Sequence, residues 1–284
     1  MLSAEQVAQF DRDGFLNGGP ALNDAEVEEL RGELMGLIER GPDSFAPGEA
    51  RPVLFRNMRP NDRPVWQIVN IWEACPAFHR LVYRPHVVEA VQQLTRASEL
   101  MVWHDQIQYK PADTGGTTHW HQDAPLWPII YPNTMVSAWF ALDDVDLDNG
   151  CMSMVPGTQE WGDQMAYLNS LKGFEQIGEG FEFPEGEAAR RLEAVPRPVR
   201  KGEVHFHHSL TWHGSPDNTS GRPRRAIAVH YMTGETRYDA GGDHPMKQFV
   251  HLEDGELMLK AGEHFPIVCR GGKPVGLPRE LAAA

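Results

Sequence analysis

From residue 99 onward the chain reads as a series of short runs in which apolar and polar residues alternate, separated by turn formers. The runs are LMVWHDQIQYK (100–110), TMVSAWFAL (134–142), CMSMVP (151–156), EVHFHHSLTWH (203–213) and RAIAVHYM (225–232). Alternation with a period of two marks half-buried strands, and strands at this spacing fold into a sandwich or barrel. The expected class is therefore mainly β with flanking helices. The helices come first. Ser3 caps one with Val7 and Phe10 on its inner side, and Asn23 caps a second in which Val27, Leu30, Leu34 and Leu37 recur at helical spacing. Residues 41–65 read as loop, and Pro85–Arg96 as a third helix with proline in its first turn.

This gives one expected domain over 1–284: a mostly helical flank to residue 98, a β core over 99–235, and an extension over 236–284. Within the core, Gln159–Arg191 is rich in Gly and Glu and has no clean period, so it reads as an insert, either a lid or a passive surface excursion. Phe181 and Phe183 would either cover a substrate there or anchor the loop. At 41% hydrophobic residues the chain can bury a large core. Its net charge of −14 speaks against a nucleic-acid or anionic-membrane surface, both of which need clustered Lys and Arg. Cys75, Cys151 and Cys269 are far apart and lack CxxC spacing, and neither a signal peptide nor an apolar run of membrane length is visible. A soluble protein of the reducing cytoplasm is the expectation.

Thirteen histidines are present, and their pattern matters more than their number. His121-Gln122-Asp123 is an H-x-D triplet, which on an extended strand would put an imidazole and a carboxylate on one face. A distant histidine would complete a facial triad suited to Fe(II), with positions left open for a co-substrate and O₂. His213 is the candidate, since it opens HGSPDNTSGRPRRAIAV: a strand end, a turn, then a strand carrying arginines. Arg224 follows His213 by eleven residues. If that strand returns antiparallel, Arg224 points into the same cavity and its guanidinium can hold the far carboxylate of 2-oxoglutarate, with Ser215 as a neighbouring donor. Arg222 and Arg225 are rivals, although Arg225 should face away if Arg224 faces in. His119 and His121 form an H-x-H pair that a cupin metal site could use, and His205 and His207 read as core or pocket residues.

H-Q-D, the VPGT of 155–158, the DNGCM of 148–152, HGSPDN followed by the arginines, and the opening QFDRDGFL (9–16) together resemble the phytanoyl-CoA dioxygenase family, over about residues 5–235. The resemblance implies a double-stranded β-helix (jelly-roll, cupin-like) core. It also implies Fe(II) with 2-oxoglutarate and O₂ as co-substrates, giving succinate, CO₂ and usually a hydroxylated product. It makes His121, Asp123 and His213 the iron ligands, and Arg224 with Ser215 the carboxylate clamp. Trp139 falls at a co-substrate-pocket aromatic. QYKPADTGGTTHWHQD is similar to the ectoine hydroxylases, relatives in which the position of Gln108 contacts 2-oxoglutarate and those of His104 and Trp127 contact substrate; Lys110 lies in the same stretch. A carboxylate at Asp123 points away from the related halogenases, which carry a small residue there. The insert 171–193 has six acidic residues, a poor surface for coenzyme A phosphates, so a free small metabolite bearing a cationic or polar group is the expected substrate. Two alternatives remain open on the sequence: a non-oxidative cupin-type metalloenzyme using His119 and His121, and a non-catalytic binding protein on the same fold.

Overall fold

A computed structural model describes residues 1–59, 62–177, 181–183, 190–278 and 281, with the side chains of 181–183 and 190–192 outside the description. Two antiparallel sheets face each other. The larger runs Phe15–Pro20, Glu203–His208, Val136–Ala141, Arg224–Thr233, Leu100–Lys110, Ile267–Arg270 and Lys273–Pro274. Trp66–Val69 also pairs with Leu100–Lys110, and Leu54–Asn57 pairs with Trp66–Val69. The smaller sheet runs Val195–Arg197, Met152–Met154, His213–Ser215 and Thr118–His121. This is the two-sheet β architecture expected from the strand spacing, and the jelly-roll that the family resemblance implies.

Strand alternation decides what each face carries. Val136, Ala138, Phe140, Val204, Phe206, Ile227, Val229 and Tyr231 turn outward into one core with the helices. The residues between them, Ser137, Trp139, His205, His207, Ala226, Ala228 and His230, fall on the opposite face, toward the smaller sheet. There Trp139, Ala226 and Ala228 pack with Cys151, Met152 and Met154 of the smaller sheet. The outer layer is therefore apolar, while the inner layer is mixed and contains small residues that leave room.

Ala4–Asp13 and Asp24–Arg40 are helices with complete capping boxes at Ser3 and Asn23. Val27, Leu30, Leu34 and Leu37 are all buried against the sheet, each worth up to about 1.5–3 kcal/mol. Pro85–Thr95 ends on Arg96 in the left-handed region. Three readings are corrected. Residues 41–65 are not all loop, because Leu54–Asn57 is a strand that extends the larger sheet. Ile71–Ala74 and Pro76–Val82 are helices that the periodicity does not announce. The run 203–213 is broken: Glu203–His208 lies in the larger sheet, a turn follows, and His213–Ser215 starts in the smaller one. No helix among the described residues is long and apolar enough to cross a membrane.

Candidate metal centre

His121 is the last residue of its strand and stands opposite His213, the first of the neighbouring strand. Their ring centroids are 4.1 Å apart. Asp123 is not on that strand. It caps a short 3-10 turn with φ −73 and ψ −49, so the triplet converges by turning rather than by pleat. Gln122 between them is fully buried and points away, its amide donating to the carbonyls of Gly162 and Leu210 at 2.8 and 2.7 Å. Asp123 Oδ1 lies 3.7 Å from His121 Nε2 and 3.6 Å from His213 Nε2. Among the described residues this is the group of His, Cys, Asp or Glu side chains able to hold a metal ion. Donors about 2.1 Å from one octahedral ion stand about 3 Å apart, so small rotations close the three around a metal.

Hydrogen bonds fix the form each ligand presents. His121 Nδ1 donates to the His119 carbonyl at 2.8 Å, and His213 Nδ1 to that of Thr211 at 2.9 Å. A carbonyl only accepts, so both rings carry their proton on Nδ1 and offer the Nε2 lone pair. Asp123 Oδ2 accepts from Ser137 Oγ at 3.1 Å and from His207 Nε2 at 3.2 Å, which leaves Oδ1 for a metal. Ser137 has then used its only proton, so His230 Nδ1 donates to it at 2.7 Å. Burial drives His121 down to about 4 and lowers His213 as well. Burial pushes the Asp123 carboxyl up, but the electrostatic pull of the neighbouring His213 ring and the hydrogen bond from His207 outweigh it and hold the group well below its ordinary value. At neutral pH the site is one carboxylate and two neutral imidazoles, the protonation a divalent cation requires. The donor set of two imidazoles and one carboxylate fits non-haem Fe(II).

Beside it lies a slot with unmet positive charge. Arg224 and Lys110 pair in register on adjacent strands and are both fully buried. Ser215 Oγ accepts from Arg224 Nη2 at 3.0 Å and from Lys110 Nζ at 2.6 Å, so its own proton remains available. Arg224 Nε and Nη1 are buried without a partner. Burial lowers Arg224 to about 10 and brings Lys110 well below its ordinary value. Among the described residues neither cation has a carboxylate within ion-pair distance, a costly arrangement that a bound anion relieves. The Arg224 guanidinium sits 5.6 Å from the centre of the Trp139 ring, and Trp139 Nε1 donates to Gln108 Oε1 at 3.4 Å. The rival arginines are engaged elsewhere: Arg225 faces outward onto Asp143, and Arg222 pairs with Asp146 at the surface. Arg224 reaches Ser215 across the gap between the two sheets, not along a hairpin.

A cavity of about 430 Å³ opens onto His121 and Asp123. His104, Gln108, Trp127 and His230 line it, as do Met165 and Asn169 from the segment beginning at 159. The Trp127 ring is 4.8 Å from His230 and 5.5 Å from His104. His119 also lines it, but its Nε2 accepts from Arg59 Nη2 at 2.8 Å, so the H-x-H pair is not a metal pair. Among the described residues Asp123 is the cavity's only carboxylate. A more open cleft of about 580 Å³ around Trp72, Glu73 and His264 is remote from the ligands. Residues 178–180 and 184–189 and the side chains of Phe181 and Phe183 lie outside the described ones, and with them the lid reading.

The sequence left His207 as core or pocket, although it hydrogen-bonds the metal carboxylate, and His205 beside it is fully buried with both ring nitrogens unpartnered. Their period-two placement with Trp139 opposite His205 is the signal that puts them inside.

A family model for Phytanoyl-CoA dioxygenase (PhyH) matches residues 10–226. The chain belongs to this family. It is 26% identical over 244 residues to the peroxisomal phytanoyl-CoA dioxygenase of Rattus norvegicus, covering 84% of this chain and 70% of that one. It is 26% identical over 254 residues to the ectoine dioxygenase of Bordetella bronchiseptica, covering 82% and 76%. Among solved structures, SnoK of nogalamycin biosynthesis, a non-haem α-ketoglutarate-dependent carbocyclase, superposes with a TM-score of 0.71 at 27% identity, covering 94% of this chain and 96% of that one. The chain is an iron- and 2-oxoglutarate-dependent dioxygenase with a jelly-roll core.

Proposed function

We propose that His121, Asp123 and His213 hold Fe(II), that Arg224 and Ser215 hold the distal carboxylate of 2-oxoglutarate, and that the enzyme hydroxylates a C–H bond of a free small metabolite. The observation that carries this reading is one barrel interior holding both an open two-histidine, one-carboxylate group and a buried guanidinium without a counter-ion. Iron bound there supplies O₂ activation coupled to oxidative decarboxylation of 2-oxoglutarate. The chain's own residues do the rest. His119 and Thr211 orient the imidazoles through their carbonyls, and Ser137 and His207 hold Asp123 in one rotamer. Arg224 neutralises the co-substrate's far end, Lys110 holds Ser215 and the Pro216 carbonyl in place beside it, and Trp139 and Gln108 wall its path. His104 and Trp127 position the substrate over the open face. The three cysteines are free and buried, in keeping with a reducing compartment such as the cytoplasm.

SnoK is a carbocyclase, so the same kind of centre can serve a ring closure in place of oxygen insertion. Turnover under ¹⁸O₂ separates the outcomes. Hydroxylation puts one labelled oxygen into the product and one into succinate. A product lacking two hydrogens and carrying no label identifies ring closure or desaturation. Failure of Fe(II) and 2-oxoglutarate to give any succinate refutes the reading.

A further inference from the structure

We infer that the substrate is a free acid: an apolar body carrying one carboxylate or phosphate, whose anionic group is received at the cavity mouth by Arg56 and Arg59. This deepens the proposed function and rests on it, since the body must then reach the iron. Donors outnumber acceptors along one row of the sheet. Arg56, Gln67 and Gln108 stand side by side on three adjacent strands, and the cavity touches all three. A guanidinium only donates. Arg56 Nε and Nη2 both give to Gln67 Oε1, at 3.1 and 2.9 Å, which fixes that amide's orientation. Gln67 Nε2 must then donate, and it gives to Gln106 Oε1 at 3.1 Å. The indole of Trp139 also only donates, so Gln108 offers it Oε1. Each carbonyl in the row is used, and the NH₂ groups of Gln106 and Gln108 and the Nη1 of Arg56 are left to face a ligand without a partner among the described residues.

Arg59 adds to the same surplus. It spends Nη2 on His119 Nε2 and has no carboxylate within ion-pair distance among the described residues, and neither has Arg56. Among the described residues the wall has spare donors, two guanidinium groups without a carboxylate partner and no carboxylate but the metal ligand, a lining that selects for a ligand rich in acceptors and negative charge. The remaining wall, including Val65, Trp66, Leu126 and Trp127, is apolar and calls for a hydrocarbon or aromatic body. A cavity of about 430 Å³ lies in the range of sites for small ligands.

The test uses matched sets in which one body (cyclohexyl, naphthyl or phenanthryl) carries a carboxymethyl, a phosphate, a primary amide or an aminomethyl group, together with the coenzyme A thioester of each acid. Binding to the anaerobic Fe(II)–2-oxoglutarate enzyme is followed by tryptophan fluorescence. The iron–keto acid absorption band is recorded in parallel. On at least one body, a free acid or phosphate should bind about tenfold or more tighter than its own amide, with the amine weakest. The ratio between carboxylate and phosphate says which anion the mouth is built for. In an Arg56→Gln/Arg59→Gln double variant that preference should collapse to within about twofold while the absorption band persists. The inference is overturned if no acid outranks its amide on any body, if the double variant keeps the preference, or if only the thioesters bind. Loss of the band in the wild type would instead strike the iron and 2-oxoglutarate reading, so the two failures are distinguishable.

Discussion

Ser137 has one proton to give, and giving it to Asp123 sets the direction of the hydrogen bonds behind the metal site. His230 must donate to Ser137, so its Nε2 faces the cavity as an acceptor. Ser137→Ala removes a bond from the metal carboxylate without touching a ligand, and Fe(II) affinity should fall about 10–100-fold by anaerobic titration. An unchanged affinity would mean that His207 alone orients Asp123. At Arg224 the expected loss is larger, because Arg224→Ala empties the slot of its guanidinium. The concentration of 2-oxoglutarate needed to saturate the Fe(II) enzyme should rise by about a hundredfold or more, with Fe(II) binding retained. A parallel loss of Fe(II) would assign Arg224 to the fold instead. His121, Asp123, His213 and Arg224 were legible in the sequence because spacing and turn chemistry mark them. His207 was not, since three of four consecutive residues in 205–208 are histidines and only the sheet register tells which faces Asp123.

Strands explain most of what the sequence shows, and their ends explain what it hides. Period-two alternation foretold the inner and outer faces of Val136–Ala141 and Arg224–Thr233. It did not foretell that Asp123 leaves its strand, because the turn depends on its backbone N–H bonding to the Ser209 carbonyl at 2.9 Å, a partner far along the chain. Nor did it show the helix at Ile71, whose first N–H groups bond to the buried carboxylate of Asp105 at 2.9 and 3.1 Å. Gly214 shows how tightly two elements meet at the candidate metal site. A Cβ there would stand 3.1 Å from both the Thr118 carbonyl oxygen and the Trp120 nitrogen, backbone that cannot swing aside. Gly214→Ala should push the His213 strand off the His121 strand, weakening Fe(II) binding by at least about tenfold with the far-ultraviolet spectrum preserved. At the other end of the chain, Asn23→Ala removes the helix cap and should cost about 1 kcal/mol in urea unfolding, with no effect on Fe(II).

At the scale of the whole molecule, the interior is rich in histidines that must stay neutral. Burial holds His121, His208, His230 and His244 each at about 4. In the unfolded chain they titrate near 6.5, so between about pH 6.5 and 4 the unfolded state binds protons that the folded state refuses. Stability therefore falls as pH falls through that window and is unaffected by these groups above it. Asp123 acts in the same sense, but its folded value lies below the window and its contribution stays intact there. Urea midpoints of the metal-free protein should decline steadily from pH 7 to pH 4.5, and a flat profile would contradict the burial of these rings.

The central claim is that one barrel interior chelates a keto acid on iron and holds its far carboxylate on Arg224. The direct measurement is visible absorption of metal-free, oxygen-free protein on adding Fe(II) and then 2-oxoglutarate. A weak charge-transfer band should appear that needs both additions, vanishes in Asp123→Ala, and in Arg224→Ala appears only at far higher 2-oxoglutarate. Folded protein that binds Fe(II) yet gives no band at any 2-oxoglutarate concentration would contradict it.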